Sequence, residues 1–526
     1  MTWLVPCMVL VPLLGAALTL MVARRQRLQI ALASLTMLCS LAVSVALLVV
    51  VHFSDQTLVV QVGGWAAPFG ISLVVDRLSA LMVTVTSVVL IAVMAFSIGQ
   101  GAADGDEETP ISIFYPTYLV LAAGVYNAFI AGDLFNLYVG FEILLVASFV
   151  LITLGGTVSR IRAGITYIVV SLVSSLLFLA AIAAIFGATG TVNFAELAVR
   201  IAQLPDATQL ILHFMLLIAF GIKAALFPLS FWLPDSYPSA PAPVTAVFAG
   251  LLTKVGVYAI LRTESLLFIT HDLSTLLFVI AICTMLVGIL GAVAQAGIRR
   301  LLSFTLVSHI GYMIFGIAIG TEAGWSATVY YIAHHILVQT TLFLVTGLIE
   351  RVAGTATLTH LGGMLKRAPY VAVLFFIPML NLGGLPPFSG FLGKLGLFIA
   401  GAEGTALGAP SGLVWTGMAV GAVTSLLTLY ALIRVWNLGF WRSQEEVDES
   451  QQVLSDHLEE SPDDIVSEQR DNTRIMNGAT TLMVAATVAM TLFAGPLFEY
   501  ADSAAANLTE PDRYIEQVQG IAGEKP

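Results

Sequence analysis

Long apolar runs alternate with short polar connections along the whole chain, and the runs are as long as a bilayer is thick. A spanning helix needs about 20 consecutive apolar residues. That length marks fourteen segments, near 3–22, 28–52, 71–98, 112–131, 134–156, 163–187, 207–232, 240–262, 273–295, 301–320, 325–349, 369–400, 411–436 and 477–499. In hydrocarbon every backbone polar group must be satisfied within the protein, which favours helices for such segments. The pattern therefore predicts an all-α polytopic membrane protein with about fourteen transmembrane helices. The first run, Trp3 to Val22, has no basic segment before it and is followed by Arg24, Arg25 and Arg27. That order is the reverse of a secretory signal and reads as a retained first helix.

Two spans contain breakers. GIKAALFPLSFWLPDSYPSAPAP places Pro228 and Pro234 in the seventh, and NLGGLPPFSGFLGK places Gly383, Gly384, Pro386 and Pro387 in the twelfth. Each proline removes a backbone donor and strains a helix. Interrupted helices at corresponding places of two halves point to an inverted-repeat transporter whose unwound backbone lines a polar midplane cavity. Proline kinks that serve packing alone are the plainer alternative. Spans four to eight and nine to thirteen would be the repeats, five helices each and so of opposite orientation. Aligning Pro228 with Pro386 sets Lys223 opposite Asn381 and not Lys394. The expected organisation is three N-terminal helices (1–110), the first repeat (111–262), the second repeat (263–440), an acidic cytoplasmic loop (441–475), a last helix (476–500) and an external tail (501–526).

Composition confirms the solvent: 58% of the 526 residues are hydrophobic and 10% charged, with mean hydropathy +0.93. A water-soluble domain of ordinary composition is excluded. Cys7, Cys39 and Cys283 lie in apolar runs without pairing or metal-ligand spacing, so they read as small core hydrophobes. Residues 443–474 hold eleven acids against Arg470 and Arg474, supplying most of the net charge of −11; this loop and the shorter AADGDEETP read as solvated segments. With the N-terminus outside, Arg24/Arg25/Arg27, Arg160/Arg162, Arg299/Arg300, Arg351/Lys366/Arg367 and Arg434/Arg442 all fall on the cytoplasmic side, as the positive-inside rule requires. Both termini are then external.

Charge is rationed inside the spans. Glu142 stands alone in the fifth, Lys223 in the seventh, Lys254 in the eighth and Lys394 in the twelfth. Facing lipid, four such groups would cost on the order of 10–14 kcal/mol, so they should face one another or water within the bundle. A structural buried acid is the bland reading of Glu142. Histidines fill the gaps: His309 in the tenth span, His334 and His335 in the eleventh, His213 in the seventh. Imidazole both donates and accepts a proton near neutral pH, and alternating Glu, Lys and His groups suit a proton relay. His334 is the preferred member and His213 the weakest, with a satisfied core histidine the alternative for each. HExxH, CxxC, GxGxxG, P-loop and nucleophile-elbow patterns are absent, so no metal site, cofactor, nucleic-acid partner or enzymatic centre is expected.

The runs GDLFNLYVGFEILLVASFVL, FGIKAALFPLSFWLPDSYPSAPAPVTAVFAGLLTKVGVYAILR, SHIGYM and LPPFSGFLGKLGLF resemble the antiporter-like subunits shared by respiratory complex I and Mrp-type multisubunit cation/proton antiporters, over roughly residues 65 to 440. DLFNLYVGFE, FWLPDSYPSAPAPV and a lysine at position 394 look most like the D subunits of Mrp antiporters. The resemblance implies a secondary transporter subunit, not an enzyme. It would sit in the cell membrane with the other subunits of a hetero-oligomeric complex and exchange Na+, with K+ and Li+ as alternatives, for H+. It also implies that Glu142 pairs with Lys223, and that Lys254, His334 and Lys394 continue a hydrophilic axis; His309, His335 and Gln339 are further relay candidates on the reading of the residues themselves. Many relatives carry lysine where this chain has Gln339. A proton-pumping subunit of complex I or of a related membrane hydrogenase is the nearer alternative, and a structural subunit that no longer transports is the alternative of a different functional class.

Overall fold

A computed structural model of the protein describes residues 2–101, 113–269, 273–447 and 473–520. Its helices follow the apolar runs: α1 (Leu4–Met21), α2 (Gln26–Ser54), α3 (Arg77–Gln100), α4 (Phe114–Phe129), α5 (Leu134–Thr153), α6 (Val158–Thr189), α7 (Asp206–Ala224), α8 (Ala242–Leu266), α9 (Ser274–Val293), α10 (Ile298–Ile319), α11 (Glu322–Ala353), α12 in two parts (Pro369–Gly383 and Ser389–Ala406), α13 (Ser411–Trp441) and α14 (Thr473–Leu492). Twelve helices among the described residues are long and apolar enough to cross a membrane. The other two predicted spans are α4, with 16 residues, and the divided α12. α8, α10 and α11 form the centre and are almost wholly buried, whereas α1, α2, α6, α9 and α13 turn leucine and valine outward, as helices at a lipid boundary do.

Three departures from the sequence reading have local causes. Residues 72–75 do not begin the third helix: β2 (Ser72–Val75) pairs antiparallel with β1 (Leu58–Gln61), and α3 starts only after Asp76, whose carboxylate accepts the Ser79 N–H at 2.8 Å. The eighth span runs past 262 to Leu266, and Lys254 is not its sole charge: Arg262, at the end of the predicted span, and Glu264 lie on the same helix. Much of the expected external tail is helical: α14 is followed by α15 (Ala494–Thr509) and α16 (Pro511–Gly520), and α15 is docked by the stacked rings of Phe498 and Tyr330, 3.9 Å apart. The acidic segment 448–472 with Glu459, all of AADGDEETP and residues 521–526 lie outside the described residues.

The repeat is visible in backbone geometry. Asp133 bridges Asn193 as Gly297 bridges Thr357. The same displacement along the chain relates Leu134 N–H to Val192 O (2.9 Å) with Ile298 N–H to Ala356 O (3.0 Å), and Phe194 N–H to Gly132 O (3.0 Å) with Leu358 N–H to Ala296 O (2.9 Å). It also carries α6 onto α11. Both have 32 residues, a threonine side-chain cap (Thr157, Thr321) and a left-handed glycine at the end (Gly190, Gly354). The breaks correspond as well: Ala225 (φ 59°) and Gly384 (φ 77°) end α7 and the first part of α12, and Leu226 N–H reaches Gly221 O as Leu385 N–H reaches Leu380 O. This register matches Pro228 with Pro387, not Pro386, and sets Lys223 opposite Leu382, not Asn381. The sequence alignment slipped by one because Pro386 and Pro387 are adjacent. Five crossings per unit invert the second copy.

Candidate functional site: a line of buried ionisable groups

Lys223 lies in the last turn of α7, where the helix stops at Ala225. Its ammonium donates to Ser175 Oγ at 3.2 Å and Ser171 O at 3.4 Å on α6, and lies 5.6 Å from the Phe141 ring centre. Glu142, the next residue of α5, is half-buried, and its Oε1 is buried without a hydrogen-bond partner. The expected direct ion pair is not formed; Lys223 is turned to the serines while remaining within electrostatic reach of Glu142. Beside it is a small cavity of about 20 Å³, walled by Lys223, Ser171, Tyr237 and Leu252 among others, roughly enough for one water. The Tyr237 hydroxyl is buried and unpartnered.

Two residues beyond Leu252 comes Lys254, fully buried. A wide π-type turn, Phe248–Leu252, precedes it, a feature common at functional sites. Lys254 Nζ donates to Ala249 O at 2.6 Å. Gly250 lets α8 approach α11, since a Cβ there would run into Thr340 Oγ1.

Past Lys254 the line widens into a cluster on α10 and α11. His335 has no hydrogen-bond partner on either ring nitrogen; it lies 5.1 Å from the His309 ring and within electrostatic reach of Lys254 and Lys394. His309 Nδ1 and the Tyr331 hydroxyl are 2.7 Å apart, and the Tyr331 and His334 rings 5.5 Å. His334 Nδ1 shares a 3.0 Å hydrogen bond with Ser389 Oγ, which is linked to Asn381 Oδ1 at 3.1 Å. These last groups meet at the α12 break. Lys394, from beyond the break, donates to Leu382 O (3.0 Å) and Ser425 Oγ (2.9 Å) and lies 5.2 Å from the Tyr312 ring centre. Leu382 is the position that matches Lys223, so the carbonyl that accepts from Lys394 belongs to the residue standing where the first unit carries its lysine. Gln339 donates to Leu302 O at 2.8 Å and keeps its Oε1 buried and unpartnered.

The structure thus brings Lys254, His309, His334, His335 and Lys394 within electrostatic reach of one another, and Lys223 within reach of Glu142, with the small cavity beside Lys223 reaching Leu252, two residues before Lys254. It leaves His213 out: His213 Nε2 meets Glu264 Oε1 at 2.5 Å, and its ring stacks on Phe268 at 4.1 Å. Tyr312 and Tyr331 were missed by sequence reasoning, although each stands three residues from a histidine, the spacing of neighbours on a helix face. Ser171, Ser175, Ser389 and Ser425 carry no signal of their own in sequence. The described residues contain no group of three or more metal-ligating side chains.

Two broken helices at matching places of a repeated unit, joined by buried ionisable side chains, define the class of antiporter-like membrane subunits. The family described as NADH:quinone oxidoreductase/Mrp antiporter, transmembrane, matches residues 131–433, and the chain belongs to it. The chain is 37% identical over 518 residues to the D subunit of the Na(+)/H(+) antiporter of Alkalihalophilus pseudofirmus, covering 97% of this chain and 98% of that one. To the protein of the same name from Bacillus subtilis it is 34% identical over 515 residues, with 97% and 98% covered. A chain in the structure of the Mrp complex from Dietzia sp. DQ12-45-1b superposes with a TM-score of 0.87 at 33% identity, covering 99% of this chain and all of that one. A chain of respiratory complex I from Thermus thermophilus shares the fold, with a TM-score of 0.74 at 24% identity and 96% and 99% covered.

Proposed function

We propose that the protein is the D-type, proton-translocating subunit of a multisubunit Na+/H+ antiporter of the Mrp kind. It works in the cell membrane with the other subunits of that complex, 111–262 and 263–440 being its two inverted units and both termini lying outside. Carrying this reading is the line of groups from the half-buried Glu142 and Lys223 through the buried Lys254 and histidine cluster to Lys394, in a chain that matches its D-type relatives along nearly its whole length.

In the proposed mechanism a proton from outside moves along this line and a cytoplasmic cation leaves through the complex. An opposite charge within a few ångströms favours the charged form of a lysine, and burial away from it favours the neutral form. Lys223 has two places to be: towards Glu142, or towards Ser171, Ser175 and the adjoining cavity. Moving from the first to the second weakens its hold on the proton and directs that proton towards Lys254. From there His335, His309 with Tyr331, and His334 with Ser389 offer donors and acceptors in turn, ending at Lys394. Each charge crossing the membrane is worth about 2.3 kcal/mol per 100 mV, so inflow of more protons than exported cations drives exchange. Cation-dependent proton flux in vesicles containing the whole complex tests this: Lys254→Ala should abolish flux with the complex assembled, and flux at the wild-type rate would overturn the axis.

A further inference from the structure

The two units differ at one corner. In the first, the Tyr258 hydroxyl of α8 donates to Phe129 O at the end of α4 (2.8 Å), Arg262 bonds that hydroxyl at 3.3 Å and pairs with Asp76 at 2.6 Å. Strand β2 closes the corner, Val74 N–H to Ile130 O and Gly132 N–H to Ser72 O, both 2.8 Å. In the second unit α13 caps the matching carbonyl: Arg434 Nη1 donates to Val293 O at 2.7 Å, and Nη2 to Gln295 O. Where β2 and Asp76 of the N-terminal segment close the first unit's corner, the second unit has a cavity of about 230 Å³. It lies between residues 294–296, Leu358 and Thr359, and the face of α13 bearing Arg434, Leu438 and Arg442.

Both arginines are held in place and, among the described residues, left without a counter-ion. Arg442 donates to Leu358 O (2.7 Å) and Leu361 O (2.8 Å). The Nε–H of each has no acceptor, and among the described residues no carboxylate pairs with either. A guanidinium has five donors in a rigid fork that matches a tetrahedral oxyanion, and two around one cavity favour phosphate. The surroundings say what carries that phosphate. Ile433 and Leu426 on α13 and Leu290 on α9 are exposed apolar side chains, and Trp441 is exposed beside Arg442. An apolar track under an aromatic rim suits acyl chains and an interface, which a soluble ion would not use. The basic clusters set this corner at the cytoplasmic leaflet, which is rich in anionic lipid.

We propose that the cavity between Arg434 and Arg442 binds the phosphate of an anionic phospholipid of the cytoplasmic leaflet, whose acyl chains lie along α9 and α13. The proposal rests on the membrane topology above and is independent of the proton axis. The whole complex, stripped of lipid in detergent, would be titrated with phosphatidylglycerol and with phosphatidylcholine, and retained lipid counted by native mass spectrometry. Wild type should retain phosphatidylglycerol in preference. Arg442→Gln should weaken that retention about tenfold, as for loss of one strong contact. Leu438→Glu supplies an internal carboxylate, as Asp76 does for Arg262, and should abolish it while the complex melts no earlier than wild type. Equal retention by wild type and both variants would overturn the site. Displacement of phosphatidylglycerol by millimolar inorganic phosphate would overturn the lipid in favour of the free ion.

Discussion

Asp76→Asn separates two tasks of one carboxylate. Oδ1 caps α3 through the Ser79 N–H at 2.8 Å, a role that asparagine fills equally well. Oδ2 pairs with Arg262 at 2.6 Å, where both side chains are 5% exposed. The amide keeps the cap and deletes the charge, leaving Arg262 buried and uncompensated. Breaking such a pair costs about 3–5 kcal/mol. Relief lies close by, because the Arg262 guanidinium is 5.6 Å from the ring centre of Tyr514 on α16, and lifting that helix admits water. If opening recovers the whole penalty, the opening equilibrium of Pro511–Gly520 rises by about 10²- to 4 × 10³-fold, at 1.4 kcal/mol per tenfold. Amide hydrogen exchange of α16 in the assembled complex reads this directly. Adding Arg262→Met should restore most of the protection, since an apolar replacement of a buried pair is often neutral. Unchanged exchange in the single variant, or a double variant as open as the single, would refute this picture of the corner.

Other consequences concern the axis and the protein surface. Gln339→Leu should slow cation-driven proton flux several-fold without loss of assembly, because it removes a buried carbonyl oxygen that can order water; near-normal turnover would show that protons bypass this position. Ser389→Ala breaks the link between His334 and Asn381 and should lower flux about tenfold, with Ser389→Thr retaining most of it; equal loss in both would point to packing instead. At the protein surface, the hydrogen bond from Arg513, reinforced by the charges of Arg77 and Arg513, holds the Asp55 carboxyl below its usual range. Its contribution is therefore complete above the ordinary carboxylate pKa and is lost as pH falls through the lower folded value. Asp55→Asn should increase proteolysis near Arg513 modestly, by about 1 kcal/mol or less at this exposed site, and remove the part of the acid-induced change that Asp55 supplies.

Much of the architecture was legible in sequence because the membrane makes apolar length and isolated charge informative. The fourteen spans, the two breaks and the sparse set of Glu142, Lys223, Lys254 and Lys394 all came from that constraint. The β1–β2 hairpin did not: four-residue strands such as SLVV read the same as the start of an apolar helix. Arg262 escaped because it is the last residue of its apolar run, where a charge reads as the start of a loop, and the partner that makes its burial tolerable, Asp76, is distant in sequence. The repeat register slipped by one at adjacent prolines, where only the left-handed turns at Ala225 and Gly384 fix the match. That Lys223 rests on Ser171 and Ser175 rather than on Glu142 is tertiary information, since serines in apolar helices look alike until the helix facing them is known.

Whether the charge of Glu142 governs the proton on Lys223 is tested most directly by flux through the reconstituted complex. Cation-dependent proton flux would be measured in vesicles of matched complex content for Glu142→Gln, Lys223→Ala and the double variant. Either single change should abolish exchange with the complex intact, and the double variant should be no worse than either, as for residues acting as a unit. Glu142→Asp should retain partial flux. Robust flux in Glu142→Gln would contradict the proposed role of this carboxylate.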